Sequence, residues 1–361
     1  MTLTAPNKIR IGIIGAGNIG GVHASQFSLL KDQCEITAIT DTYLPVAEER
    51  AKQYDIPHVT ASPEELIQRS DVDAVVIGVP NQHHAPLAIQ AIEAGKHVLL
   101  EKPMGINGDA ARQIYRASRA SDRVVMVAHQ MRWESVPMQI KEQIDRGELG
   151  KIYTAKTGWF RRKGIPGWGT WFTRMDQSGG GPLIDIGVHM LDLALYLMGN
   201  PKPVSVYGAT YAEFGPKRKG IGTWGKPDWN GEYDVEDLAT ALIKMEDGST
   251  LSLEVSWAVH MDTDNTPFIH VMGSEGGASY RGAKGKLLTE KFDQPIETEL
   301  VKPEHDESER TRLSRHFLEC IREGKQPLTS ALTGLTNNLV LDAIYESSRT
   351  GSEVKLDWNL N

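Results

Sequence analysis

Cysteine is nearly absent from this sequence, with only Cys34 and Cys320 among 361 residues. Two cysteines without a recognisable spacing argue against a disulfide framework and suggest no metal site. This usage is typical of a reducing compartment, so the sequence predicts a cytoplasmic protein. The first eight residues contain no apolar stretch of signal-peptide length, which agrees with that location.

Positively charged residues are also outnumbered: the chain has 39 lysines and arginines and 47 aspartates and glutamates, which gives a formal net charge of −8. Nucleic acids and anionic membranes are bound through basic surfaces, so neither is expected as a partner. A short basic run at residues 217–219 lies in a loop rich in glycine and proline, and we interpret it as a solvated tip. The apolar runs are only strand-sized, so no segment is predicted to span a bilayer.

What the chain does contain is typical of a globular enzyme: 40% apolar and 24% charged residues, over a length that predicts two domains. Its first third alternates short apolar runs with helical patterns, which predicts a doubly wound parallel sheet. The predicted strands are residues 9–14, 35–40, 58–59, 74–79, 97–100 and 124–127, and the predicted helices are residues 18–30, 45–53, 63–69, 84–94 and 109–120.

Beyond residue 128 the pattern changes to strands joined by hairpin turns, which predicts a mostly antiparallel sheet with a few helices. The predicted strands are residues 152–159, 204–211, 235–245, 250–257, 268–272 and 278–280, and the predicted helices are residues 136–146, 182–198, 308–323 and 332–349. The chain is therefore predicted to be an α/β protein with a doubly wound domain at residues 1–128 and a second domain at residues 129–361.

A G-x-G-x-x-G motif joins the first predicted strand to the first predicted helix. Gly15 permits the tight turn, Gly17 lets a pyrophosphate approach the backbone, and Gly20 lets the helix and the strand pack closely. The helix N-terminus, at Asn18 and Ile19, supplies N–H donors for the phosphates. The motif in this context predicts a dinucleotide-binding Rossmann domain.

Asp41 lies roughly 20 residues beyond this motif, at the end of the second predicted strand. A carboxylate at this place binds the adenosine ribose hydroxyls of a dinucleotide. Its neighbours Thr42 and Tyr43 bring no cation to neutralise a 2′-phosphate, so Asp41 favours NAD over NADP. The alternative is a glycine-rich turn with a capping aspartate and no ligand.

Open α/β sheets bind ligands beyond the carboxyl ends of their strands, so the residues after the fourth and fifth strands are informative. Pro80, Asn81 and His84 follow the fourth strand, and Glu101 and Lys102 follow the fifth. All five are candidates for the cofactor crevice, and Lys102 is also placed to meet a substrate. Simpler roles stay open, because Asn81 could cap a helix, His84 could support a helix start, and Lys102 could be a surface lysine.

Three glycines at residues 179–181 precede a predicted helix that is apolar except at Asp185, His189, Asp192 and Tyr196. These four positions are spaced i, i+4, i+7 and i+11, so they form one row on one face. Ionisable groups in an apolar helix are costly unless they are paired or used. The row indicates either a catalytic face, which we favour, or a His–Asp pair satisfied within the core.

Together these motifs resemble the Gfo/Idh/MocA family, named for glucose–fructose oxidoreductase and inositol dehydrogenase. The resemblance covers nearly the whole chain and rests on these matches: residues 15–20, Asp41, Pro80-Asn81-x-x-His84, residues 94–98 leading to Glu101-Lys102-Pro103, and residues 179–192.

The resemblance implies a Rossmann domain followed by an α/β domain whose large open sheet forms the contact of a homodimer or homotetramer. It also implies that Lys102, Asp185 and His189 are the catalytic trio and contact the substrate. We therefore expect an NAD-dependent oxidoreductase that removes hydride from a secondary hydroxyl of a sugar or cyclitol, or runs the reverse. His189 would take the hydroxyl proton, Lys102 would stabilise the alkoxide, and Asp185 would orient the substrate or tune the pKa.

Three further side chains are candidates for substrate binding. Trp168 and Trp171 could stack on a sugar ring, or could pack as core aromatics. Arg132 could contact substrate or cofactor, or could form a structural ion pair. The loop at residues 215–232, rich in glycine, proline and tryptophan, is either a lid or an oligomer arm, with the arm favoured.

Other functions are compatible with a Rossmann domain. One is a redox-neutral, NAD-dependent glycosidase that oxidises the sugar transiently and eliminates the aglycone. Another is a non-catalytic regulator that senses a dinucleotide, although such a protein needs no row of proton-handling side chains. A hydroxy-acid dehydrogenase would need an arginine to clamp a carboxylate, and only Arg132 is a candidate.

Overall fold

The computed structural model describes residues 8–262 and 264–360. Residues 1–7, which entered the argument against a signal peptide, lie outside the described part. The strands, in chain order, are β1 (Ile9–Ile14), β2 (Cys34–Thr40), β3 (His58–Thr60), β4 (Ala74–Ile77), β5 (His97–Leu100), β6 (Val125–Val127), β7 (Ile152–Phe160), β8 (Pro203–Tyr211), β9 (Leu238–Met245), β10 (Thr250–Ser256), β11 (Thr266–Gly273), β12 (Gly277–Arg281), β13 (Lys284–Lys291), β14 (Gln294–Leu300) and β15 (Val354–Lys355).

The α-helices pack around these strands. They are α1 (Asn18–Ser28), α2 (Leu44–Tyr54), α3 (Pro63–Gln68), α4 (His84–Glu93), α5 (Gly108–Arg119), α6 (Ser135–Asp145), α7 (Met175–Ser178), α8 (Val188–Leu197), α9 (Glu309–Glu323) and α10 (Ala331–Thr350).

The first six strands form one parallel sheet in the order β3-β2-β1-β4-β5-β6. Every residue of β4 and β6 is buried, because helices cover both faces of the sheet. The order of the strands reverses direction between β1 and β4, which opens a crevice at their carboxyl ends. The predicted doubly wound sheet is confirmed.

The remaining nine strands form a second sheet in the order β14-β13-β12-β11-β7-β10-β9-β8-β15. Its pairings are antiparallel except for that between β10 and β7. Helix α8 lies over this sheet, and its buried apolar side chains join the inward-facing residues of the strands in one core. The predicted α/β class with a large, mostly antiparallel second sheet is confirmed.

The last two long helices connect the two sheets. Phe317 and Leu318 of α9 are buried in the core on one side of the parallel sheet. Helix α10 places Leu335 in the core on the other side of that sheet and Val340 in the core of the second sheet. The division of the chain at residue 128 therefore describes the two sheets, and as a domain boundary it stays a prediction.

Three strands are absent from the sequence-based prediction, namely β13, β14 and β15, and β9 begins three residues later than expected. The stretch Met175–Leu197 is long and apolar enough to cross a membrane by length and composition. However, 89% of its most apolar window is buried inside the protein, which is the environment of a core helix.

Candidate active site

A cavity of about 930 Å³ opens at the carboxyl ends of the parallel strands and extends to the helical stretch that carries Asp185 and His189. Its walls include residues from both halves of the chain. Those that carry the argument below are Gly15, Gly17, Asn18, Ile19, Asp41, Pro80, Asn81, His84, Glu101, Lys102, Trp171, Asp185, His189, Trp224 and Arg310.

The glycine turn between β1 and α1 forms one end of this cavity. Gly15 has φ +95°, and a Cβ on Gly20 would lie 1.8 Å from the carbonyl oxygen of Gly15, so neither position accepts a side chain. A Cβ on Gly17 would meet nothing within 4 Å. Gly17 therefore borders open space beside the helix N-terminus, where the pyrophosphate of a dinucleotide fits.

Asp41 stands beside this turn at the end of β2. Its carboxylate accepts hydrogen bonds from the backbone N–H groups of Ala16 (2.7 Å) and Tyr43 (2.9 Å). These bonds fix the side chain at the cavity wall and leave acceptor positions for ribose hydroxyls. The arrangement fits the adenosine half of NAD.

Asn81 and His84 line the cavity while bonding to neighbouring loops. The Asn81 side-chain amide donates to the carbonyl oxygen of Ser178 (2.8 Å), and no side-chain cap of the following helix is formed. The ring nitrogens of His84 lie 2.7 Å from the Pro103 carbonyl oxygen and 2.9 Å from that of Val79. His84 thus joins the segments that leave β4 and β5.

Glu101 is a buried carboxylate in the cavity wall that bonds to His23. Its carboxylate lies 2.8 Å from Nε2 of His23 and accepts a hydrogen bond from the backbone N–H of Lys102 (3.2 Å). Burial alone would raise the pKa of Glu101, but the hydrogen bond and charge of His23, with the nearby Arg310, lower the pKa to about 2. The carboxylate is therefore a fixed negative charge under the backbone that carries Lys102.

Lys102 crosses the cavity to reach the second half of the chain. Its Nζ donates to the Asp185 backbone carbonyl oxygen (2.9 Å) and to the Asp185 carboxylate (3.1 Å). An ammonium has three donors, so one remains for a ligand. The side chains of Lys102 and Asp185 are 17% and 19% exposed, which makes this a partly buried pair that a ligand can reach.

Asp185 is held from its other side by two residues that sequence reasoning missed. Trp257 Nε1 donates to the second carboxylate oxygen at 3.0 Å, and a guanidinium nitrogen of Arg161 lies 3.8 Å from that oxygen. Burial alone would raise the pKa of Asp185, but the charges of Lys102 and Arg161 lower it below its ordinary range. Nothing in the local sequence around Arg161 or Trp257 indicates this convergence, because Arg161 follows β7 and Trp257 follows β10, and the pairing of these strands brings the two residues together.

His189 also lines the cavity, and only 7% of the residue is exposed. Its Nδ1 is buried and has no hydrogen-bond partner among the described residues, so another edge of the ring reaches the cavity. Burial, reinforced by the charge of Lys102, lowers the pKa of His189 well below 6.5. The imidazole is therefore neutral near pH 7 and can accept a proton.

The sequence predicted a regular helix from residue 182. The structure differs at the start of this helix, which carries Asp185 and His189. Leu183–Gly187 form a π-helical turn before α8. The backbone N–H groups of Gly181 (3.0 Å) and Leu183 (2.9 Å) donate to the buried carboxylate of Glu236, which also accepts from the Tyr345 hydroxyl (3.0 Å). Glu236 thus provides hydrogen-bond acceptors for the backbone N–H groups at the start of the helix and fixes the position of that helix.

The three glycines at residues 179–181 are required by crowding. A Cβ on Gly179 would lie 2.2 Å from the Ile106 carbonyl oxygen, and one on Gly180 would lie 1.9 Å from the Tyr345 hydroxyl. A Cβ on Gly181 would lie 2.1 Å from the Glu236 carbonyl oxygen. The turn packs its backbone against both halves of the chain, which brings the helix to Lys102.

The row of four polar residues splits into two environments. Asp185 and His189 line the cavity, whereas Asp192 is buried and binds Arg132 through two hydrogen bonds of 2.7 Å each. The Tyr196 ring lies 4.7 Å from the Arg132 guanidinium. Arg132 also donates to the Leu328 carbonyl oxygen (3.0 Å) and is 2% exposed. Arg132 therefore forms the structural ion pair that was one of its two expected roles, and it does not line this cavity.

The two tryptophans before the helix also differ. Trp171 lines the cavity next to Phe172 and Trp224. Trp168 is only 4% exposed, donates from Nε1 to the Gly215 carbonyl oxygen (2.8 Å), and does not reach the cavity. The Trp168 ring therefore packs as a core aromatic, which is the second of its two expected roles.

Residues 215–232, left open as a lid or an oligomer arm, lie against the site. Trp224 of this loop lines the cavity, and its carbonyl oxygen accepts a hydrogen bond from the Gly167 N–H (2.9 Å). Arg218 of the basic run lies over the Trp168 ring at 4.8 Å. Trp224 thus makes this loop part of the cavity wall, and its role as a lid or, as favoured, an oligomer arm stays a prediction. In the described residues, no group of three or more His, Cys, Asp or Glu side chains is arranged to hold a metal ion.

Both halves of the chain match models of known protein families. A model of an oxidoreductase family with an NAD-binding Rossmann fold matches residues 9–129. A model of the GFO/IDH/MocA C-terminal domain matches residues 138–279. The match to the first model agrees with the glycine turn and Asp41, so residues 9–129 form an NAD-binding Rossmann domain.

Curated relatives match over nearly the full length. D-glucoside 3-dehydrogenase of Escherichia coli (strain K12) is 31% identical over 358 residues, covering 97% of this chain and 98% of the relative. Levoglucosan dehydrogenase of Pseudarthrobacter phenanthrenivorans is 26% identical, covering 96% of this chain and 98% of the relative. The scyllo-inositol 2-dehydrogenase (NAD(+)) of Bacillus subtilis (strain 168) is 24% identical, with 97% of each chain covered.

Solved structures share the fold. A levoglucosan dehydrogenase in complex with NADH matches with a TM-score of 0.88 at 23% identity, covering 97% of this chain and 100% of the other. An oxidoreductase domain protein from Kribbella flavida also gives a TM-score of 0.88, at 21% identity, with 97% of this chain and 100% of the other covered. The two-sheet architecture is therefore a known one.

Proposed function

This chain belongs to the GFO/IDH/MocA family of NAD-binding oxidoreductases, and from that premise we propose that it oxidises a secondary hydroxyl of a sugar or cyclitol, or reduces the matching ketone. Its named relatives are sugar and polyol dehydrogenases, consistent with an enzyme acting on CH–OH groups. When bound, NAD supplies the hydride acceptor. Positioning the hydroxyl and moving its proton are left to the side chains of the cavity.

Lys102 is the proposed electrostatic stabiliser. Two of its donors are bound to Asp185, so the ammonium is aimed before the substrate arrives. Its third donor bonds the substrate oxygen, and its charge stabilises the alkoxide character that develops there. Asp185 keeps this ammonium in place and presents its carboxylate to neighbouring hydroxyls.

His189 is the proposed general base. Its neutral imidazole takes the hydroxyl proton and becomes an imidazolium, while NAD, which Gly17 and Asp41 would hold, would accept the hydride from the carbon that becomes the ketone. The imidazolium then releases the proton to solvent. In the reverse reaction, the imidazolium returns the proton to the oxygen as the ketone is reduced.

One observation carries this proposal: Lys102, Asp185 and His189 line the same cavity as the glycine turn at Gly15–Gly17, although they come from different halves of the chain. Asp41 supports NAD as the cofactor, because a carboxylate beside the ribose repels the 2′-phosphate of NADP. Trp171, which lines the same cavity, offers an aromatic face to the C–H groups of a sugar ring.

The test is a substrate panel of cyclitols, aldoses, anhydrosugars and glycosides with NAD and with NADP, read by nicotinamide absorbance. We expect NADH to form with at least one class and NAD to be preferred. Aglycone release from an aryl glycoside without net NADH would indicate the redox-neutral glycosidase instead. NAD binding with no turnover on any substrate would indicate the dinucleotide-sensing regulator, and preference for NADP would contradict the role of Asp41.

A single variant tests the base. His189→Ala should lower turnover by about 10²–10⁴-fold, because general base catalysis is lost. Binding of NADH, followed by its fluorescence, should stay unchanged. Turnover like that of the native enzyme would remove His189 from the mechanism.

The second sheet is the proposed contact of a homodimer or homotetramer. Tyr207 and Leu242 pair across β8 and β9 on its outer face and are 56% and 54% exposed. Exposed apolar neighbours of this kind mark interaction surfaces. Light scattering should give a dimeric or tetrameric mass that Leu242→Lys reduces, and a monomeric native protein would contradict the contact.

The proposed location is the cytoplasm. Cys34 and Cys320 are both buried and free, and burial raises the pKa of their thiols to about 12 and about 11. Free thiols of this kind fit a reducing compartment. Fractionation of cells that express the protein would test the location.

A further inference from the structure

A second cavity of about 400 Å³ adjoins the candidate active site. Asp185 and Trp224 line both cavities. One oxygen of the Asp185 carboxylate faces Lys102, and the other faces Trp257 and Arg161. The carboxylate that aims Lys102 is therefore also a wall of the second cavity, and the two spaces meet at Asp185 and Trp224.

The second cavity is built from hydrogen-bonded walls. Asn265 accepts from Trp159 Nε1 (3.0 Å) and from Arg161 Nε (3.2 Å), and Asp264 accepts from the backbone N–H of Arg162 (2.8 Å). On the opposite side, the Gly222 N–H donates to the Ile165 carbonyl oxygen (2.9 Å). The shape of the space is thus set before any ligand enters.

The lining matches a neutral ligand rich in hydroxyls. Arg161 and Lys163 supply two positive charges, and Asp185 and Asp264 supply two negative charges, so the cavity favours no net charge. Trp224 is 50% exposed at the boundary and meets Phe172 edge-on, with ring centroids 4.7 Å apart. Polar groups of both kinds beside an exposed indole are the features that bind a sugar ring.

We propose that this cavity is a subsite for a second hydroxylated ring, so that the preferred substrate is a disaccharide or a similar hydrophilic glycoside. The inference rests on the proposed function, because it requires the oxidised ring to lie at Lys102 and His189. The second ring then passes Asp185 and lies under Trp224, with Lys163 donating to its hydroxyls. The volume of about 400 Å³ falls within the range of small-molecule sites.

The test compares kcat/KM for four substrates that present the same oxidised ring: the free sugar, its methyl glycoside, a disaccharide and an aryl glycoside. We expect the disaccharide to exceed the methyl glycoside by about tenfold or more, the gain from a few added hydrogen bonds and a stacked ring. Equal values for these two substrates would overturn the subsite. A gain for the aryl glycoside alone would also overturn it, in favour of an apolar aglycone site.

Two variants at positions that line only the second cavity sharpen the test. Thr223→Trp should fill the space, and Lys163→Ala should remove a donor, so each should lower kcat/KM for the disaccharide by about five- to tenfold. Neither should change kcat/KM for the methyl glycoside. Lys226→Ala, an exposed lysine on the same loop, is the matched control and should leave both substrates unchanged. Equal losses for both substrates would contradict the proposal.

Failure of the proposed function gives a different result. An enzyme inactive on all four substrates would contradict the dehydrogenase mechanism. The subsite would then be tested by measuring substrate affinity. Calorimetric titration of the NADH-loaded protein with the disaccharide and with the methyl glycoside would then be compared. Tighter disaccharide binding that Thr223→Trp abolishes would support the subsite, and equal affinities would overturn it.

Discussion

Two carboxylates on the same helical stretch, Asp185 and Asp192, have opposite surroundings. Each binds a cation from a loop that follows a strand of the parallel sheet: Lys102 after β5 and Arg132 after β6. The first pair is 17% and 19% exposed and lines the cavity, whereas the second pair is 2% and 1% exposed. The sequence presents both as polar positions in one row.

The difference lies in position relative to the cavity at the glycine turn. The Arg132 guanidinium is bonded to Asp192 and to the Leu328 carbonyl oxygen, and Asp192 also accepts from the Asn337 amide (3.0 Å). Lys102 keeps one donor free beside the cavity. A pair that is buried away from the cavity of the glycine turn holds the fold, and a pair with an open donor beside that cavity can act on a ligand.

Replacing Lys102 should give the largest effect on turnover. Lys102→Met removes the charge that faces the substrate oxygen, so kcat should fall by about 10²–10⁴-fold in the nicotinamide assay. The melting temperature should change little, because Asp185 keeps its contacts with Arg161 and Trp257. Turnover within a few-fold of the native enzyme would place Lys102 outside the chemistry.

Replacing Arg132 should give the reverse result. Arg132→Met leaves the buried Asp192 without its cation, and loss of one partner of a buried pair costs about 3–5 kcal/mol of unfolding free energy. Urea unfolding measures this loss, and the folded fraction should keep its turnover. The double variant Arg132→Met/Asp192→Leu should recover much of the stability, and no recovery would contradict the pairing argument.

The pH dependence of stability should report the core cluster. Burial lowers the pKa of His129, beside Asp192, from 6.5 to about 4. As the pH falls from 6.5 towards 4, the unfolded chain gains a proton that the folded chain excludes, so the unfolding free energy decreases. His129→Gln should remove on the order of 3 kcal/mol of that decrease. An unchanged slope would show that His129 is not buried in its neutral form.

Glu236 should affect both clusters, because it holds the start of the helix that carries both carboxylates. Glu236→Ala leaves two backbone N–H groups without partners, which should cost about 1–3 kcal/mol and lower kcat as the helix shifts. Tyr345→Phe removes only one hydrogen bond and should cost about 1 kcal/mol. Urea unfolding and kcat should both be measured for Glu236→Ala, and both stability and turnover should fall. A fall in only one of them would contradict the proposal that Glu236 holds the start of the helix.

The parallel half of the fold was the more predictable one. Its strands are short, continuous apolar runs because helices cover both faces, and the glycine turn is dictated by backbone contacts at Gly15 and Gly20. The hairpin of β13 and β14 was missed because both strands are largely exposed and polar. Its turn places Phe292 and Asp293 at positive φ without a glycine, so the usual hairpin signal is missing.

Residues of the candidate site could be predicted only where they belong to recognisable sequence motifs. Lys102, Asp185 and His189 stand in recognisable patterns, but the split between Asp185 and Asp192 depends on packing that regular helical spacing cannot show. Trp168 and Trp171 are three residues apart, and only the tertiary structure separates the buried ring from the one that lines the cavity. Arg161 lies near Asp185 because it follows β7, which pairs with β10 in the second sheet. The local sequence does not indicate this pairing.

The most direct measurement is a crystal structure with NADH and a bound sugar or cyclitol. The account predicts that one substrate oxygen lies about 3 Å from both the Lys102 Nζ and a ring nitrogen of His189. The Arg132 guanidinium would remain bonded to Asp192 with no ligand contact. A bound substrate whose reacting oxygen meets only one of the two nitrogens, or neither, would contradict the account.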